Sequence, residues 1–191
     1  MNSKRWFDVI ASVAALFLLS PLFGLIAIAI KMTSRGPVIF RQMRMGFQRE
    51  EFVIYKFRTL RNGSGHPGVD LTSGDDQRIT RVGRFLRRSR LDETPQFLNV
   101  LRGEMSVVGP RPYEIAGAKL LLTETPSSAL RYLVKPGITG LAQVNGRKGK
   151  RMEDMAMDVA HDVEYLKNRS LRLDCLILLK TVPVVLHRKG I

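Results

Sequence analysis

Cysteine occurs once, at Cys175, so no internal disulfide can form; its place in an apolar run reads as a buried structural thiol in a reduced, cytoplasmic setting. Histidine occurs only at His66, His161 and His187, too scattered for a metal cluster, and each reads as ordinary surface. No internal repeat or low-complexity tract organises the chain. Acidic residues are scarce as well: 17 Asp and Glu stand against 31 Lys and Arg, for a formal net charge of +14 over 191 residues. That imbalance points to an anionic partner, whether nucleic acid, lipid headgroups or phosphorylated small molecules.

Against these shortages stands one long apolar run. Trp6 to Ile30 carries a single charge, Asp8, and about 20 apolar residues suffice to cross a bilayer. Lys4 and Arg5 precede the run, and Lys31, Arg35, Arg41 and Arg44 follow it. Basic flanks mark the cytoplasmic side, so two of them place both ends there. Ser20-Pro21 lies mid-run and supplies a means of bending. Pro21 has no N–H to give the Phe17 carbonyl, and the Ser20 hydroxyl can bond a freed backbone group. Two readings stand together: a kinked spanning helix, and a helix that enters the membrane, bends and returns. A cleaved signal peptide fits poorly, because the run exceeds the usual core of about 7–15 residues and no small-x-small site follows. An apolar membrane segment beside the positive charge favours lipid headgroups and phosphorylated small molecules over nucleic acid.

The remaining residues, about 155, suffice for one compact domain. The chain reads as α+β and mostly helical, with a membrane segment over 1–35 and a second part over 36–191. Val38–Phe40 and Phe52–Phe57 are β-rich runs around Gly46, which predicts a small β-hairpin. Residues 62–76 are rich in Gly, Ser and Asp and read as a loop. Arg78–Leu101 reads as helical, with Thr80, Val82, Phe85, Leu86, Leu91, Phe97 and Leu98 available for an inner face. Pro95 marks a new helix start there, with Asp92 or Thr94 as cap. Met105–Pro112 predicts a short strand ending in a rigid turn, Tyr113–Thr123 a helix, Lys135–Asn145 a Gly/Pro loop and Lys150–Lys167 a helix. Leu171–Leu186 is too short and polar to span; it reads as an amphipathic helix on the membrane surface or against the core.

Arg84 to Asn99 holds the densest chemistry. Arg84, Arg87, Arg88 and Arg90, with Arg102 beyond, surround one acidic pair, Asp92-Glu93. Nearby cations favour the carboxylate form and lower its pKa. A carboxylate at the rim of a cationic pocket can hold Mg²⁺ against substrate phosphates, or attack phosphorus; a salt-bridged helix start is the structural alternative. Lys56 and Arg58 alternate with aromatics in YKFRT, placing both on one strand face. Arg111 lies between two prolines in GPRP, so its guanidinium can be held ready for a bidentate phosphate contact. Arg147 ends QVNGR after a Gly-rich loop.

In this order the motifs resemble the bacterial sugar transferases that are monotopic polyprenyl-phosphate phosphoglycosyltransferases. The likeness runs from Lys4 to about Lys180: KRWFD, SP, GPVIFRQMRMG, FVIYKFRTL, RITRVGRFLRRSRLDETPQFLNVLRGEMSVVGPRP, KPGITGLAQVNGR and DVEYLKNRSLRLDCLILLKT. The resemblance implies transfer of a sugar-1-phosphate from a nucleoside diphosphate sugar, usually a UDP-sugar, to a polyprenyl phosphate such as undecaprenyl phosphate, with UMP leaving. By it Asp92 is the nucleophile, forming a covalent phosphosugar, and Glu93 binds Mg²⁺ or handles the acceptor proton. It also implies a re-entrant helix at Ser20-Pro21, a minimal catalytic form, and a place on the cytoplasmic face of the bacterial inner membrane. Lys56, Arg87 and Arg111, then Arg58, Arg88 and Arg147, are the expected phosphate contacts. Asp162 and Asp174 match recurring acidic positions; a helix-surface charge and a structural ion pair are their plainer roles. Thr94 and Arg90 depart from the usual Leu and small residue without removing a catalytic group.

Two other readings remain. A membrane-tethered nucleic-acid-binding protein fits the charge but lacks aromatic interleaving and a reading helix, so no nucleic-acid partner is expected. A metal-dependent glycosyltransferase releasing UDP could use Asp75-Asp76, a weak pair in a Gly/Ser loop. The sequence leaves open the sugar, the glycan pathway and the oligomeric state, a homodimer included.

Overall fold

The computed structural model describes residues 3–61, 77–145 and 152–186. Its first element, α1 (Ser3–Thr33), runs as one helix of 31 residues through Pro21. It does not divide into two helices at Ser20-Pro21. Ser20 Oγ donates to the Phe17 carbonyl at 2.8 Å, the acceptor that Pro21 leaves without an amide donor. The two ends of α1 are docked and its middle is bare. Near the N-terminus, Lys4 Nζ donates to Asp174 Oδ2 at 2.6 Å and to the Val108 carbonyl at 3.1 Å. Arg5 donates to the carbonyls of Val100 and Leu101. Asp8, the one charge of the apolar run, accepts from Ser106 Oγ and the Val107 amide, each at 3.0 Å. At the other end Ile26 and Ile30 are buried with Phe57 and Leu86. Between them Val13, Phe17, Leu18 and Leu25 are exposed.

A hairpin follows, β1 (Ile39–Met45) antiparallel to β2 (Glu51–Phe57), with Ile39 opposite Phe57 and Met45 opposite Glu51. The buried Asn99 side chain ties it down, donating to the Val53 carbonyl at 2.7 Å and accepting from the Tyr55 amide at 3.1 Å.

Next come α2 (Arg81–Arg88), a 3-10 turn over Leu91–Gln96, and α3 (Phe97–Arg102). Thr80 caps α2 by accepting from the Gly83 amide at 2.9 Å. A Cβ on Gly83 would lie 2.1 Å from the Thr59 carbonyl oxygen, so only glycine lets α2 approach that strand end. No helix starts at Pro95, which sits inside the 3-10 turn. Thr94 is no cap either, since its hydroxyl donates back to the Leu91 carbonyl at 2.8 Å, and Asp92 caps no helix. Of the expected inner face, Thr80 and Leu86 are buried and Val82, Leu91 and Phe97 pack against the core, while Phe85 and Leu98 are exposed.

β3 (Ser106–Val108) pairs in parallel with β4 (Gly137–Thr139). The stretch 135–145, expected as loop, therefore contains a strand and the short α5 (Leu141–Val144). A Cβ on Gly137 would meet the Gly109 amide at 2.0 Å, so a glycine there permits the pairing. α4 (Ile115–Glu124), a 3-10 segment over Pro126–Leu133, α6 (Met152–Lys167) and α7 (Leu171–Leu186) complete the fold. The main core joins Val100, Met105, Val107 and Val108 to Tyr165 of α6 and Ile177 of α7. α7 buries Asp174 and Ile177 and exposes Leu176, Leu179 and Val182. Cys175 is exposed rather than buried, because Asp174 beside it takes the inward position toward Lys4 and Tyr165. The expected loop over 62–76 lies outside the described residues.

Candidate active site

The Asp92-Glu93 pair sits on the 3-10 turn after α2, and both side chains are buried, at 9% and 6% exposure. The chain enters this turn through Arg90, whose backbone is left-handed at φ 59. Such a conformation disfavours a side chain other than glycine or asparagine, and it sets the turn's direction.

The two carboxylates have different surroundings. Glu93 is clamped by cations from three elements. Arg111 of the GPRP turn makes a two-pronged contact, Nη2 to Oε1 at 2.6 Å and Nη1 to Oε2 at 3.3 Å. Lys56 of β2 donates to Oε1 at 3.0 Å, and Arg90 Nη1 stands 3.9 Å from Oε2. Asp92 has no such clamp, and its Oδ1 is buried without a hydrogen-bond partner.

Their protonation equilibria part accordingly. Burial pushes the Asp92 carboxyl up from its ordinary 3.8 to about 6, the charge of Glu93 adds to the rise, and Lys56, Arg87 and Arg111 oppose it. Burial acts to raise Glu93 too, but Arg111, Lys56 and Arg90 outweigh it and hold Glu93 well below the carboxylate range. The cationic setting thus lowers one member of the pair; for Asp92, burial overrides it. Burial also lowers the Lys56 ammonium, with Glu93 working against the fall. The Glu93 charge raises Arg111, which stays cationic throughout.

The other expected residues divide. Arg87 Nε donates to Thr59 Oγ1 at 2.8 Å and acts electrostatically on Asp92, so it belongs to the cluster. Arg88 is exposed on α2. Arg58 does not join Lys56; its guanidinium donates to the carbonyls of Arg35 and Ser34 at 3.0 and 2.7 Å, closing the C-terminal end of α1. Arg147, Asp75 and Asp76 lie outside the described residues. Asp174 forms the buried pair with Lys4 already described and accepts from the Tyr165 hydroxyl at 2.8 Å. Asp162 is buried, 2.9 Å from Arg131 Nη2, and so is not a helix-surface charge.

Arg131 and Thr59 are site-supporting residues that the sequence reading misses. The Arg131 guanidinium is buried 4.0 Å from the Tyr113 ring centroid and donates to the Arg111 carbonyl at 2.8 Å. It therefore joins Asp162 of α6 to the turn that carries Arg111. Its only trace in the sequence is an arginine within the apolar run ALRYLV.

Among the described residues no group of three His, Cys, Asp or Glu could hold a metal ion. Mg²⁺ needs less than that, because it is commonly held by one or two carboxylates together with substrate phosphates and water. The unpartnered Asp92 Oδ1 fits such an ion, whereas both Glu93 oxygens already face cations. The cluster as a whole can neutralise a multiply charged anion beside a buried carboxylate.

The sequence pattern of the bacterial sugar transferase family matches residues 1–188. A UDP-glucose:undecaprenyl-phosphate glucose-1-phosphate transferase of Caulobacter vibrioides is 45% identical over 185 residues, 96% of this chain and 69% of its own length. A UDP-N-acetylgalactosamine-undecaprenyl-phosphate N-acetylgalactosaminephosphotransferase of Aeromonas hydrophila is 43% identical over 98% of this chain and 44% of its own length. An exopolysaccharide production protein, PSS, of Rhizobium leguminosarum bv. phaseoli is 42% identical over 97% of this chain and 96% of its own length. The chain spans less than half the length of the Aeromonas relative.

Proposed function

The chain belongs to the bacterial sugar transferase family, and on that premise we propose that it moves a sugar-1-phosphate from a UDP-sugar to undecaprenyl phosphate. The observation that carries the reading is the asymmetry of the dyad. One carboxylate is clamped by Lys56 and Arg111; the other is buried among the same cations with an oxygen unpartnered. An ionised Asp92 oxygen attacks the β-phosphorus of the donor. A bond forms between that oxygen and phosphorus, the bond to UMP breaks, and UMP leaves with the electron pair. A phosphate oxygen of undecaprenyl phosphate then attacks the same phosphorus, and Asp92 leaves as a carboxylate. Glu93 holds Lys56 and Arg111 where charge builds on the transferring group. Asp92 and the donor phosphates would hold Mg²⁺, which supplies charge neutralisation at phosphorus.

The same reading places α1 in the bacterial inner membrane as a re-entrant helix entered from the cytoplasmic face. Its support is that both ends of α1 dock on one body while the exposed middle is apolar. A 31-residue helix is about 46 Å long, more than one crossing of the hydrocarbon core requires.

The test is to incubate the detergent-solubilised protein with Mg²⁺, undecaprenyl phosphate and a panel of UDP-sugars, and to identify the released nucleotide. Lipid-dependent turnover to UMP is expected, with one equivalent of UMP released and a phosphosugar trapped on Asp92 when lipid is withheld. Release of UDP would mean transfer of the sugar without its phosphate and would sink the Asp92 mechanism. Relatives named for UDP-glucose and UDP-N-acetylgalactosamine put those two donors first in the panel.

A further inference from the structure

The second half of α1 and α2 enclose an open apolar groove of about 410 Å³, lined by Leu25, Ile26, Ala29, Val82, Phe85 and Leu86, with Arg81 the one charged lining residue. Beside it, Arg81, Arg84 and Arg88 recur at i, i+3 and i+7 and form an exposed row along α2. No acidic side chain among the described residues pairs with any of the three. The active-site cluster does not use the groove. Arg87, which bonds Thr59 and acts on Asp92, projects roughly 140–160° around the helix from Val82 and Phe85 at 3.6 residues per turn. The groove opens beside Leu25, itself part of the exposed apolar surface of α1.

We propose that the groove and the arginine row form a site for an anionic phospholipid of the bilayer, with one acyl chain between α1 and α2 and the headgroup phosphate on Arg81 and Arg84. The site rests on the reading that α1 lies in a membrane. A ligand that is apolar at one end and anionic at the other matches a groove with uncompensated guanidinium groups along one side. Net negative headgroups suit it better than zwitterionic ones, because the row offers three cations and, among the described residues, no acid paired with them to meet a headgroup amine. Bound there, the lipid holds the second half of α1 against α2 without touching Asp92.

The experiment uses the full chain in detergent, challenged with phosphatidylglycerol or phosphatidylcholine and weighed by native mass spectrometry. Wild type is expected to retain one phosphatidylglycerol with a preference of about tenfold over phosphatidylcholine. The double variant Arg81→Gln/Arg84→Gln should lose that preference, while Arg81→Lys/Arg84→Lys should keep most of it. Ala29→Trp, which fills the groove, should reduce retention of both lipids. An undiminished preference in the glutamine variant would overturn the site. So would one-for-one displacement of phosphatidylglycerol by undecaprenyl phosphate, with a raised KM for that lipid in the glutamine variant and unaltered UMP release in its absence; the groove would then serve the acceptor. Flotation of wild type with vesicles separates the two levels. Failure to float removes the membrane reading, whereas flotation without a lipid preference removes only the site.

Discussion

Asp92→Asn should abolish turnover and make the protein more stable at neutral pH. Burial holds the Asp92 pKa at about 6 instead of 3.8. A carboxylate whose pKa is raised on folding destabilises the fold when ionised. Its effect is absent below about pH 3.8, grows as pH rises toward 6, and is complete above. Glu93 acts oppositely, but its titration lies below 4.5 and leaves the upper window to Asp92. The rise of Asp92 corresponds to about 3 kcal/mol at neutral pH. Asparagine recovers only part of this, because its amide protons face Lys56, Arg87 and Arg111; a gain of about 1–3 kcal/mol is expected. For a chain of this size that is a Tm rise of about 2–4 °C per kcal/mol. Thermal unfolding in detergent with EDTA and no substrate reads it directly. The gap between variant and wild type should narrow on going from pH 7.5 to pH 5, as wild-type Asp92 takes up its proton. A variant no more stable than wild type at pH 7.5, or a gap independent of pH, would refute the picture of a strained buried carboxylate.

Other perturbations test the remaining parts. The pH profile of kcat/KM should show an acid limb near pH 6, because the proposed attack needs Asp92 ionised. Glu93→Gln removes a charge that raises Asp92, so in residual activity the limb should move to lower pH. The same substitution leaves Lys56 and Arg111 without their counter-charge, and unfolding measurements should show a loss of about 3–5 kcal/mol. Gly83→Ala drives a Cβ to within 2.1 Å of the Thr59 carbonyl; calorimetry should find it destabilised by about 1–3 kcal/mol, with activity falling as Arg87 shifts. Pro21→Ala restores an amide donor to Phe17 and should shift α1 toward spanning. Cysteine labelling near residue 2 in intact cells should find a cytoplasmic N-terminus in wild type and an exported one in the variant; an exported wild-type N-terminus would overturn the re-entrant reading.

Several features were legible because few residue types can produce them. The hairpin follows from β-rich runs around Gly46, and the register found, Ile39 opposite Phe57, needs only local alternation. The Ser20 hydroxyl on the Phe17 carbonyl follows from proline's missing N–H. Other features depend on partners far away in sequence. Asp8 looks like an intruder in an apolar run until Ser106 and Val107 are placed against it, 98 and 99 residues on. Arg131 looks like a surface charge until Asp162 and the Arg111 carbonyl close around it. Gly83 and Gly137 are unremarkable in the sequence, and only the approach of Thr59 and Gly109 shows why a side chain is excluded.

The division of roles within Asp92-Glu93 is the instructive case, because adjacency in sequence predicts a shared environment. A 3-10 turn has about three residues per turn, so successive side chains leave it roughly 120° apart. Glu93 is thereby bonded by Lys56 of β2 and Arg111 of the GPRP turn, while Asp92 lies among the same cations with its Oδ1 left without a hydrogen bond. Had Pro95 begun a helix with Asp92 as its cap, the Asp92 oxygens would have been spent on backbone amides, with a pKa lowered rather than raised. The proline inside the turn and the left-handed Arg90 before it keep Asp92 out of that role. The reactivity assigned to Asp92 thus depends on a backbone turn as much as on the carboxylate, and a change at Arg90 or Pro95 that lengthened α2 or α3 into this segment would deactivate Asp92 while leaving it in the sequence.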